Sequence, residues 1–108
     1  MARRDCLTLD NGMRLRLLSA LEVLQARREA EGLARAPKEH ALCSNACLLA
    51  RALETEEGSP IFSGGEAVLA GLRVGEIAAL AKIWSQFNRE ENPALTMGQE
   101  EAEALKKN

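Results

Sequence analysis

From Val74 to Glu91 the chain carries Val74, Ile77, Leu80, Ala81, Ile83, Trp84 and Phe87 on one side of a helical wheel. Glu76, Lys82, Arg89 and Glu90 flank or oppose that side, and Asn92-Pro93 closes the stretch. Apolar residues recurring at three and four positions predict an amphipathic helix, and proline marks its end.

The segments before it carry their own start and stop signals. Ser19-Ala20-Leu21-Glu22 has the spacing of a capping box, in which a serine hydroxyl and a glutamate three residues on satisfy each other's orphan amides. A helix is expected from Ala20 to about Arg35, with a scattered apolar set, an Arg27–Glu31 pair one turn apart, and Pro37 as its stop. A second helix, from about Lys38 to Glu54, has a central stripe of Leu42, Ala46, Leu49 and Leu53 and the widest apolar arc, which makes it the candidate central helix. Glu56-Glu57-Gly58-Ser59-Pro60 reads as a turn and Ile61-Phe62 as a short extended piece. Ser63-Gly64-Gly65-Glu66 repeats the capping-box spacing ahead of a short helix over Ala67 to Gly71. Thr96 to Gln99 has the same spacing before a final short helix, Glu100 to Lys107, with acids first and lysines last.

The one β signature is N-terminal. Leu7 and Leu9, then Met13, Leu15 and Leu17, alternate with polar residues around Asp10-Asn11-Gly12, the pattern of a hairpin with one apolar face. A lone hairpin is marginal in water, so it must lie on helices or pair with another chain's edge. Ala and Leu supply about a third of the 108 residues and Tyr is absent, a bias toward helix formers. The expected fold is therefore mainly α: a small helical domain of four to five helices with an N-terminal β-hairpin at about 7–18. It occupies residues 1–93 as a single domain, with 94–108 as a short acidic helical tail.

No apolar run reaches the roughly 18 residues that a bilayer requires, and none follows Met1-Ala2-Arg3-Arg4-Asp5 as a secretory signal would. Three cysteines do not make a disulfide framework and suit a reducing cytoplasm. The net charge of -2 hides an asymmetry: residues 1–38 hold eight Lys or Arg against five acids, and residues 39–108 hold six against eleven. A pI near 5.5 argues against nucleic acid, whereas two opposite ends suit a protein surface or a second copy, or are simply two solvated faces.

A reactive centre is hard to assemble from these residues. His40, Cys43 and Cys47 resemble metal ligands, but His40 and Cys47 lie about 10.5 Å apart along a helix, beyond the roughly 8 to 9 Å that one zinc spans. The bland reading is two small core cysteines. One histidine and no nucleophile elbow exclude the usual hydrolase arrangements. Gly64-Gly65 lacks the lysine of a phosphate loop, and the acid pairs Glu56-Glu57, Glu90-Glu91 and Glu100-Glu101 point apart on a helix. No catalytic, cofactor-binding or metal residues are assigned, and the chain is not expected to be an enzyme. The candidate partner-binding residues are Trp84, Phe87, Asn88 and Arg89. The two rings belong to the core or present an edge as an exposed anchor, a role that aromatic residues on rigid helices fill well.

Val74 to Pro93, preceded by Ala41 to Leu53 and by Met13 to Glu29, resembles the tail assembly chaperones of long-tailed, siphovirus-like phages and prophages. The resemblance spans most of residues 7–93 and rests on helix-and-turn patterns. It implies a helical protein of the host cytoplasm, absent from the mature virion, that coats the tape measure protein, recruits tail tube protein and self-associates. Such chaperones are commonly made in two lengths by ribosomal frameshifting, and Lys106-Lys107-Asn108 is compatible with a slippery A-rich run. The alternative is a small helical regulatory or adaptor protein acting by protein–protein binding. A DNA-reading regulator would want a basic recognition helix, and Val74 to Glu91 has only Lys82 and Arg89 against three acids.

Overall fold

The computed structural model describes residues 5–91. The chain is mostly helical, with an N-terminal antiparallel hairpin. The hairpin strands are β1 (Cys6–Thr8) and β2 (Arg14–Arg16), followed by α1 (Ala20–Leu33) and one 3-10 turn over Pro37–Glu39. Next come α2 (His40–Ala52), β3 (Leu53–Glu54), α3 (Gly65–Gly71) and α4 (Val74–Glu91). The expected tail, 94–108, and its helix from Glu100 lie outside the described residues.

The hairpin turns at Asp10-Asn11-Gly12, where Gly12 takes φ 89° and the Asn11 side chain accepts from the Met13 N–H. It does not stand alone. β3 pairs antiparallel with β2, giving a three-stranded sheet in the order β1-β2-β3. Leu7, Leu15 and Leu53 stand abreast across it, and the last two are fully buried. The second helix therefore ends at Ala52 rather than near Glu54, because Leu53 contributes more by pairing with Leu15 than by prolonging α2. Beside this leucine row, Glu54 is buried between Arg14 (3.2 Å) and Arg16 (3.4 Å), so its charge is matched.

α2 is the central element, against which α1, α3 and α4 all pack. Its Ala46, Leu49, Ala50 and Ala52 join Leu15, Leu53, Val68, Ile77 and Trp84 in the main core. Each large member contributes about 2 to 3 kcal/mol by leaving water. A second cluster of small residues, Ala26 and Ala30 against Cys43 and Cys47, lines the α1–α2 contact.

The Ser19–Glu22 capping box forms as expected. The one at Ser63 does not: α3 starts at Gly65, its N-cap is Gly64, and no neighbouring side chain caps it. Glu29 of α1 does so instead, accepting the Gly65 N–H at 2.7 Å and Arg51 at 2.7 Å. Arg51 also donates to the Cys47 carbonyl at 3.0 Å, so one carboxylate joins three helices. Ile83, expected on the buried side of α4, is 38% exposed, while Ile77, Ala81, Trp84 and Phe87 form the buried line.

Candidate functional site

α1 and α4 lie against α2 with a groove between them, a cavity of about 560 Å³. Val23, Leu24 and Arg27 of α1 form one wall, Leu48 of α2 is part of the lining, and Trp84 and Asn88 of α4 form the other. The geometry follows from the α1 sequence. Ala26 and Ala30 are the residues that seat α1 on α2, which turns Leu21 and Leu24 away from that contact, Leu21 outside the groove's lining and Leu24 on its wall. They are 59% and 45% exposed, and Arg28 shares their face one turn on. Arg27 is the one charged side chain among the described residues of the lining. The expected Arg27–Glu31 pair does not form, so the guanidinium is directed by no ion pair along its own helix.

The four expected partner-binding residues separate. Trp84 is 6% exposed, with its edge on the groove and its indole N–H donating to the Arg16 carbonyl at 2.8 Å. Asn88, half-buried, lines the same groove. Phe87 is 2% exposed and faces a smaller cavity of about 230 Å³ beside Leu7 and Ile83. Arg89 is exposed and lines neither cavity. Trp84 and Phe87 are thus core residues, each reaching only the edge of a surface cavity. The exposed apolar pair that sequence reasoning passed over is Leu21 and Leu24. Its signal was present, as two leucines three apart, off the Ala26–Ala30 line, in an otherwise charged helix.

Arg16 anchors the entry to α1. Its guanidinium makes a bidentate contact with Glu22, and that hydrogen bond, with the nearby Glu54 charge, raises the arginine's pKa against the opposing effect of burial. In return the hydrogen bond from Arg16 brings Glu22 down to about 2, with the Ser19 N–H contributing. Burial works against ionisation of Glu29, but Arg51 and the Gly65 N–H outweigh it and its pKa is lowered.

The groups with chemical reactivity are placed elsewhere. His40 is exposed at the start of α2, while Cys43 and Cys47 are buried and face α1. Burial, reinforced by the Glu29 charge, pushes the Cys47 thiol up to about 12, so at neutral pH it is a protonated, poorly nucleophilic thiol. No group of three or more potential metal ligands occurs among the described residues. No helix among them is long and apolar enough to cross a membrane. Comparison of the chain with protein-family models, with curated proteins and with solved structures finds no match in any of the three.

Proposed function

We propose that the chain is a helical binding protein that covers an amphipathic helix of a longer partner, acting as a phage tail assembly chaperone. The observation that carries this reading is the α1–α4 groove with Leu24 exposed on its wall and Leu21 exposed three residues before it on the same helix. Apolar residues held on a rigid helix beside a half-apolar cleft suit helix-in-groove recognition, in which a partner's i, i+3 and i+7 residues seat in the cleft. The resemblance of Met13 to Glu29, Ala41 to Leu53 and Val74 to Pro93 to tail assembly chaperones supplies the partner. It is the tape measure protein, whose apolar faces need shielding until tail tube subunits enclose it. Many copies, each weakly bound, hold such a client by multivalency and leave one at a time, which requires no nucleotide. On this reading the protein works in the host cytoplasm and leaves before the virion is complete.

Gene context and a pull-down test the proposal together. A tail tube gene upstream, a very long helical gene downstream and co-purification of the latter's product at micromolar concentration are the expected results. Co-purification with an unrelated regulator instead, and no phage genes nearby, would favour the helical adaptor reading.

A further inference from the structure

The hairpin ladder fixes which way each backbone group of β1 points. The Leu17 N–H donates to the Asp5 carbonyl at 2.9 Å and the Leu9 N–H to the Met13 carbonyl at 2.7 Å, so Asp5, Leu7 and Leu9 turn their polar groups toward β2. Cys6 and Thr8 turn theirs outward, and no strand among the described residues pairs with that edge. The register runs without a bulge, and Asp5 to Leu9 contains no Lys or Pro to repel another strand. On the core side the apolar row is unfinished. Leu7, half-buried at the end of the row formed with Leu15 and Leu53, opens on the cavity of about 230 Å³ that Phe87 and the 38% exposed Ile83 line on α4.

We propose that β1 pairs antiparallel with β1 of a second copy of this chain, across a two-fold axis at Leu7, so that two three-stranded sheets join into one. The strand is complementary to itself in this register. Cys6 of one copy faces Thr8 of the other, and every outward N–H of the described strand finds an outward C=O. Leu7 meets Leu7 of the second copy in the closer, non-hydrogen-bonded kind of pair, with Cα atoms about 4.5 Å apart. The second leucine enters the cavity beside Ile83, so each copy completes the apolar row of the other, as an isologous contact requires. This edge shares no described lining residue with the α1–α4 groove, so the pairing carries two grooves in one particle and does not depend on what fills them.

Analytical ultracentrifugation of the full chain should show the mass rising from one copy to two between micromolar and millimolar concentration. Thr8→Pro deletes an outward N–H, spares the ladder to β2 and should abolish the dimer. Ile83→Glu, at an exposed position, should abolish it without touching the strand, and circular dichroism checks that each variant keeps the fold. The register has its own readout. Wild type mixed with a Thr8→Cys/Cys6→Ser chain and mildly oxidised should give a disulfide-linked pair of the two, since facing Cα atoms lie about 5.5 Å apart, while neither chain alone should cross-link. If Thr8→Pro does not fold, Ile83→Glu and the cross-link decide. A single-copy mass at every concentration overturns the proposal. So does a dimer that the folded variants leave intact, or a dimer that forms no mixed disulfide.

Discussion

The indole N–H of Trp84 in α4 donates to the main-chain carbonyl of Arg16 at the end of β2, 2.8 Å away and 68 residues earlier in the chain. The bond ties the longest helix to the central strand of the sheet. Because the Arg16 side chain also grips Glu22 of the α1 capping box, sheet, α1 and α4 converge on one residue.

Trp84→Phe keeps most of the ring and removes the donor, so it should lower stability by about 1 kcal/mol. Trp84→Ala empties a core position and should cost about 3 to 5 kcal/mol. Urea denaturation followed by circular dichroism reads both, and equal midpoints for the two variants would show that the ring's packing contributes nothing.

Glu29 binds Arg51 and caps α3 at once. Glu29→Ala leaves the Gly65 N–H without its acceptor and the Arg51 guanidinium with the Cys47 carbonyl but no counter-charge, and should cost about 2 kcal/mol, the value of a part-buried charge-assisted contact. In a double-mutant cycle with Arg51→Ala, the two losses should sum to more than the double variant's loss. Strict additivity would mean that the bridge couples nothing.

At Gly65 a Cβ would overlap the Sγ of Cys47 and come within 3.2 Å of its Cα. Gly65→Ala should therefore destabilise by about 1 to 3 kcal/mol through overpacking. Adding Cys47→Ala should recover part of that loss, since it removes the sulfur but not the backbone. A melting temperature unchanged by Gly65→Ala would show that α3 does not approach α2 this closely.

Much of this architecture was legible in the sequence where local signals and tertiary packing agree. The Val74 to Glu91 stripe, the Ser19–Glu22 box and the Asp10-Asn11-Gly12 hairpin are each set by neighbours within a few residues. β3 was not legible, because Leu53 continues the period of Leu42, Ala46 and Leu49, and only pairing with Leu15 draws it out of the helix. The Ser63 box failed for a related reason: the groups that cap α3 and pair with Arg51 sit on a helix more than twenty residues earlier. Of the expected binding residues, Trp84 and Asn88 reach the groove, whereas its opposite wall on α1 depends on which side of that helix meets α2.

Acid should weaken the fold through Glu22. Its folded pKa of about 2 lies below its ordinary value, so the ionised form is favoured in the native state. The associated stability is present in full above about pH 4.5 and is lost as the pH falls through about 2. Solvent screening at this part-exposed pair holds the loss to about 1 kcal/mol. Glu22→Gln should flatten the decline of stability over that window, and a slope identical to wild type would place the acid sensitivity elsewhere.

The claim that the α1–α4 groove binds a helical client meets its most direct test in one comparison. The full chain and its Leu21→Asp/Leu24→Asp variant are each pulled down with a tape measure protein, the proposed client. Both leucines are exposed, so the variant should melt within about 0.5 kcal/mol of wild type. Stoichiometric co-purification by the wild type and its loss in the equally stable variant is the result expected. Equal retention by both, or none by either, contradicts it.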